Sequence, residues 1–394
     1  MRDTTKSIAV GALIGIGIAV IFVAGFITRD LIGISLLPST PGQTSFALLT
    51  EVQQWINRYY LRTVPTDQEA VYAAVTGLLA SLEDPYTYFI APPQTQVETN
   101  SLAGVYGGAG IKLQRTTSGE FRIIPFEDSP AQAAGILDGD VLLAINGEGV
   151  DTTRSEPEIE SKLRGEVKDN SGVDLLIRRD ETQLSIFVPF GLIQVPSVFF
   201  RVLQEDSRLG YIQITDFNNN TPDQFRNAVT SLKQQGVQAI AFDLRNNGGG
   251  LLQESLEIAG EFIESGLLLV ERSKDSERSY DDEVEGGVLT DLPVVFIVNN
   301  YTASASEVLI GVIRDYERGF IIGQKTYGKG VIQQIFGLSD QSSIHVTYAE
   351  WLTPLRHSID GQGIEPDIAL TASTSGADIE LSQAIQSLQE ALPQ

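Results

Sequence analysis

Apolar residues along this chain keep two rhythms. Between residues 191 and 370, short β-branched and aromatic runs alternate with segments of helical spacing. "RLGYIQITDF", "VQAIAFDLRNN" and "LPVVFIVNN" read as strands, the last two buried on both faces. "TPDQFRNAVTSLKQQG", capped by Thr221, reads as a helix. So does the run in which Val308, Leu309, Val312 and Ile313 recur on one face. This alternation predicts an α/β layer on a largely parallel sheet, where chemistry gathers beyond the carboxyl ends of the strands. Two polar stretches fall there, "DLRNNGGG" and "NNYTASASE".

Residues 100 to 190 have another texture. "GVYGGAGIKLQRTTSGEFRIIPF" reads as a glycine-rich loop and two strands. "SPAQAAGILDGDVLLAINGEGV" reads as a short Pro-started helix, a tight turn, a strand and a second turn. "SEPEIESKLRG" is a further helix and "GVDLLIRRDETQLSIFVPF" a hairpin. Residues 44 to 99 carry helical spacing in two segments split by "VPTD", with Asp67 as cap of the second and "EDPY" as its end. "SKDSERSYDDEVEGG" reads as a solvated loop. "GADIELSQAIQSLQEAL" is an amphipathic helix with a face for the core or for a second subunit.

Ser7 to Thr28 is uncharged, and at about 1.5 Å per residue it is long enough to span a bilayer core. It exceeds a usual signal-peptide core and no clear cleavage site follows, so a retained anchor is favoured over a cleaved, secreted form. Arg2 and Lys6 would keep its start cytoplasmic and put the rest outside, with Arg29 opposing. Residues 31 to 43 read as a linker. The net charge of −24, from 27 Lys+Arg against 51 Asp+Glu, excludes a nucleic-acid footprint. No cysteine excludes thiol chemistry, and two histidines exclude a multi-histidine metal site. No metal or organic cofactor is implied.

The hydroxyl cluster Thr302, Ser304 and Ser306 stands at a strand-to-helix junction. Ser304 and Glu307 fit a capping box. A serine there also lies beside free N–H groups and a positive dipole end, which suits an oxyanion. A nucleophilic serine needs a base. His345 sits in an alternating strand, on one face with Ser343 and Thr347, and reads as an exposed strand residue; His357 reads as a loop surface residue. Lys329, flanked by glycines before "VIQQIF", is the better base, because a serine–lysine dyad is an established variant. Burial would be needed to bring its pKa down. In extended chain Gln333 shares its face and could orient it.

Two resemblances organise these motifs. The segment "SPAQAAGILDGDVLLAINGEGV" resembles a PDZ domain of extracytoplasmic proteases. That implies tail capture by β-augmentation along Ile111–Leu113, with the tail carboxylate on the N–H groups of "YGGAG" at Gly107, Gly108 and Gly110. From roughly Phe46 to Ile368 the chain resembles the C-terminal processing peptidases, or tail-specific proteases. The matching blocks are "LASLEDPYTYFIAP", "DLRNNGGG" (with Gly248 where proline is usual), "SASE", "GQKTYGKGVIQ" and "LTPLRHSIDGQGIEPDI". The resemblance carries the nucleophile to Ser304, the base to Lys329 and the orienting role to Gln333. It carries the oxyanion hole to the N–H of Ala305 and one from Gly249 or Gly250, and a gating role to Arg164, whose alternative is a surface ion pair.

The resulting expectation is a mixed α/β, multi-domain chain. A stub and transmembrane anchor cover 1–30, a linker 31–43, a helical module 44–99, a PDZ domain 100–190, a protease core of the ClpP/crotonase-like type 191–370 and a C-terminal helix 371–394. The function it implies is a membrane-anchored serine endopeptidase acting on unstructured C-terminal tails. The rivals are a catalytically silent peptide receptor and a hydrolase of small esters or cell-wall peptides.

Overall fold

The computed structural model describes residues 43–282, 287–370 and 378–392. The apolar Ser7–Thr28 segment, its flanking charges and nearly all of the linker lie outside them. Among the described residues no helix is long and apolar enough to cross a membrane. The chain divides into two compact units, residues 1–74 and 75–394. The described part of the first holds the helix Gln43–Tyr59 and the start of the helix Asp67–Ala80. The cap of the latter is Thr66, one residue before the expected Asp67. Glu69 accepts from the Thr66 N–H at 2.7 Å and from its hydroxyl at 2.9 Å, so the Thr/Glu pair takes the junction.

The second unit is built on the expected parallel layer. Its central sheet runs Val198–Val202, Leu209–Ile214, Ala239–Asp243, Val294–Val298, Phe320–Gly323, Ile368–Ala369; only the first pair is antiparallel. The strand Ala239–Asp243 is buried throughout and shows why such runs lack polar alternation. Ile240 and Phe242 face one layer, where Phe225, Phe262 and Phe296 pack with the helices Thr221–Gln234, Leu252–Gly260 and Ala305–Asp315. Ala239 and Ala241 face the other, against Ala384 and Leu388 of the helix Ile379–Ala391. The C-terminal helix therefore packs on the core sheet. Thr221 is the first helical residue rather than the cap, and Asn220 precedes it in the cap position.

A second sheet is antiparallel throughout. Its central strand Ser343–Leu352 pairs with Tyr88–Ile90, Val331–Gly337 and Gly266–Ser273. The strand Tyr88–Ile90, inside the expected helical module 44–99, thus supplies an edge strand to this sheet. The PDZ region holds a six-stranded sheet in the order Ile111–Arg115, Phe121–Pro125, Val141–Ile145, Gly172–Arg179, Thr182–Pro189, with Glu148–Gly149 also paired to Val141–Ile145, around its own core, with Phe121, Ile123 and Val173 fully buried. Ser129 caps the short helix Pro130–Ala133 by accepting from the Gln132 N–H.

Candidate active site

Two strand ends of the parallel sheet meet at the site. Asn247, in the turn after Ala239–Asp243, is fully buried and stitches them together. Its Oδ1 accepts from the Gly249 N–H at 2.9 Å, and its Nδ2 donates to the Ile214 carbonyl at 2.9 Å. Its own carbonyl accepts from the Ala303 N–H and the Ser306 hydroxyl, both at 3.0 Å. The Thr302 hydroxyl donates to the Leu244 carbonyl at 2.9 Å. Two members of the hydroxyl cluster are therefore buried and spent on holding the junction. Ser304 is the third, half-buried, and it lines a cavity of about 270 Å³.

Ser304 itself has φ +56° and ψ −119°, a backbone state that a side-chain-bearing residue rarely holds. Gly249, at φ +107°, closes against it: a Cβ there would lie 2.9 Å from the Ser304 Cβ and the Ala305 nitrogen. Gly250, at φ +138°, leaves no room either, with the Phe217 carbonyl oxygen 2.1 Å from a Cβ. Gly248 has open space around its missing side chain, so a larger residue would fit there. The Ala305 N–H opens the helix Ala305–Asp315 and is one of its orphan donors. The Gly249 N–H is committed to Asn247, while Gly250 lines the cavity.

Glu307 completes the expected capping box, accepting from the Ser304 N–H at 2.9 Å, but it does more than cap. The same oxygen accepts from the Lys329 N–H at 2.9 Å. The other accepts from the Gly328 N–H at 2.7 Å and from the Thr326 hydroxyl. One fully buried carboxylate thus joins the backbones of Ser304 and Lys329. Burial pushes its carboxyl up, against the pull of the four donors.

Lys329 reaches the same cavity as Ser304. Trp351 Nε1 donates to its carbonyl at 3.1 Å. Its Nζ donates to Gln333 Oε1, and Gln333 Nε2 donates to the Tyr86 carbonyl, which orients the amide oxygen towards the lysine. The Tyr86 ring lies 5.3 Å from Nζ. Burial holds the Lys329 pKa below the usual lysine value, while the Glu98 and Asp84 carboxylates oppose the shift.

His345 overturns its exposed-strand reading. It is 4% exposed and stacks on Tyr88 at 4.5 Å. Its Nε2 lies 2.9 Å from Glu98 Oε2, and the pair lines the cavity. The expected parity with Ser343 holds; that face turns inward rather than to water. His357 is exposed, as expected of a loop residue.

The model of peptidase family S41 matches residues 208–370, and a PDZ domain model matches residues 127–179. The "Probable CtpA-like serine protease" of Staphylococcus aureus (strain COL) is 30% identical over 366 residues, 92% of this chain and 72% of that protein. The chain belongs to peptidase family S41. It is a serine-type peptidase of the C-terminal processing group and carries a PDZ domain. The equally named protein of Staphylococcus epidermidis is 32% identical over 322 residues, 81% of this chain and 64% of that protein. Among solved structures, the "photosystem II D1 C-terminal processing protease" is 28% identical, with a TM-score of 0.49 over 85% of this chain and 95% of that one.

In this S41 peptidase the sequence-predicted PDZ residues share one region. Gly107 and Gly108 pair with Leu192 and Gly191 in a short two-stranded ladder, and Ala109 donates to the Leu163 carbonyl at 2.9 Å. A Cβ on Gly107 would lie 2.2 Å from the Gly165 oxygen, and Gly110 has φ +73°, so close backbone approach requires these glycines. Ile111 and Leu113 are on the edge strand of the sheet. Arg164 bridges to Gly108, and its guanidinium lies 4.5 Å from the Tyr106 ring; among the described residues its partner is this aromatic face and no carboxylate forms an ion pair with it.

Sequence reasoning missed the bracing by Glu307, and the roles of Asp84, Tyr86 and Glu98 around Lys329. The capping signal pointed to Glu307, but only as a local cap.

Proposed function

We propose that this peptidase is a membrane-anchored endopeptidase that cleaves protein substrates near their C-termini with a Ser304–Lys329 dyad. The observation that carries the dyad is the common cavity. Of three clustered hydroxyls only Ser304 lines it, and the half-buried Lys329, held by Gln333, lines it too. Neutral Lys329 takes the Ser304 proton as Oγ attacks the scissile carbonyl. The oxyanion is met by the N–H groups of Ala305 and Gly250. Lys329 then gives its proton to the leaving amine, leaving an acyl-enzyme. Water, deprotonated by Lys329, releases the new C-terminus.

The PDZ domain holds the tail, and Arg164 beside the groove serves as a gate. Arg2 and Lys6 keep the start of the chain cytoplasmic and the catalytic part outside the cytoplasm. The test uses the full chain in detergent with a model protein bearing an apolar C-terminal tail, followed by mass spectrometry. Wild type trims the tail; Ser304→Ala and Lys329→Ala, folded by circular dichroism, do not. Cleavage by Ser304→Ala would overturn the nucleophile assignment. An inert wild type that still binds the tail would favour a silent receptor.

A further inference from the structure

The peptide-facing edge of the PDZ sheet already carries a ligand of its own. The strand Ile111–Arg115 pairs with Phe121–Pro125 on one side, and among the described residues no strand pairs with the other. In an antiparallel ladder alternate residues turn their N–H and C=O outward. Leu113 is one of these, and its N–H donates to Glu160 Oε1 at 2.7 Å.

Glu160 is held over that edge by its surroundings. It ends the helix Glu156–Glu160, whose start is fixed by a Ser155–Glu158 capping box. Arg115 ties the preceding loop to the strand through the carbonyls of Thr152 and Arg154. Beside the carboxylate opens a cavity of about 450 Å³, lined by Ile111, Lys112, Glu160, Leu163 and Arg164 among others. A tail that adds a strand here must bring a backbone carbonyl to the Leu113 N–H. A charged oxygen occupies that donor, and an N–H bond to a carboxylate is stronger than one to a neutral carbonyl.

We propose that Glu160 is an internal competitor of the substrate tail: its carboxylate occupies the tail groove at Leu113, and the tail displaces it to bind. Once displaced, the carboxylate remains beside the tail and disfavours acidic side chains there. The proposal rests on the reading that the PDZ groove captures tails.

The test uses the full chain carrying Ser304→Ala, in detergent, and fluorescence anisotropy with a labelled ten-residue peptide ending in alanines. A second peptide has glutamate near its end. Glu160→Gln and Glu160→Ala each bind the first peptide more tightly, by about three- to tenfold, because a charged acceptor no longer competes. Both lose most of the discrimination against the acidic peptide, which a purely structural role would not change. Unchanged or weaker binding by both folded variants would overturn the proposal. If the parent binds neither peptide while the dyad variants still define the protease, the tail-capture reading fails and takes this one with it.

Discussion

Glu307 and Glu160 are both glutamates whose carboxylates accept backbone N–H groups, yet the two regions use them in opposite ways. Glu307 is fully buried and both its oxygens are saturated by four donors from two segments of the core. Glu160 is half-buried, accepts one strand N–H and borders an open cavity. The first cannot leave without stranding four donors, two of them buried. The second can exchange with any acceptor that reaches Leu113. Donor number and water access decide which carboxylate is a brace and which a latch. The Ser304 junction is therefore preorganised, while the proposed tail groove is built for exchange.

The sharpest way to break this contrast is at the brace. Glu307→Gln puts an amide donor against N–H groups that need acceptors. We expect a loss of about 3 kcal/mol or more in chemical denaturation and a fall of at least about 100-fold in kcat/KM. If the variant keeps both stability and rate, the carboxylate does not align Ser304 with Lys329. The glycine turn gives the next largest effect. Gly250→Ala, at φ +138° and with the Phe217 oxygen in its way, should cost about 2 kcal/mol or more. Gly248→Ala, with open space around it, should stay within about 0.5 kcal/mol. Equal costs at the two positions would remove the distinction between them.

How far the sequence carried depends on the range of each signal. The parallel core, the strand-to-helix junction and the glycines of the turn were legible because periodicity, capping and turn chemistry act over a few residues. Ser304 and Glu307 were readable as a cap pair for that reason. The partners that make Glu307 a brace come from Thr326, Gly328 and Lys329, and local pattern does not announce them. Tyr86 reaches Gln333 across most of the chain. His345 failed for another reason: alternation tells which residues share a face, but not which face is wet. Its polar face is the one the core turns inward, against Tyr88 and Glu98.

A smaller effect tests the cost of the proposed base. Burial holds the Lys329 pKa below its ordinary value, so the unfolded chain binds the proton over a pH range in which the folded chain has released it. Wild-type stability therefore rises with pH between the lowered folded pKa and the ordinary value of 10.5. Lys329→Met lacks this dependence. It should be inactive and more stable than wild type by about 1 kcal/mol at neutral pH, and the gap should narrow as pH rises towards 10.5. Denaturant midpoints across pH check this. A variant less stable than wild type at every pH would mean that the lysine stem and its bond to Gln333 outweigh the burial of its charge.

The finest adjustment is Glu98→Gln. The Glu98 carboxylate favours protonated Lys329, and in the proposed dyad the neutral amine is the form that takes the Ser304 proton. Removing that charge lowers the Lys329 pKa further, so the rising acid limb of kcat/KM moves to lower pH. Activity on that limb grows by a few-fold while the plateau stays. Glutamine keeps an acceptor for His345, so the Tyr88–His345 wall need not collapse. Asp84 also acts on Lys329, but hydrogen bonds from Thr87 and the Tyr86 N–H tie it into the loop. Its replacement would change geometry as well as charge. Glu98 is the cleaner probe: a limb that moves to higher pH, or does not move, would show that its charge does not reach the base.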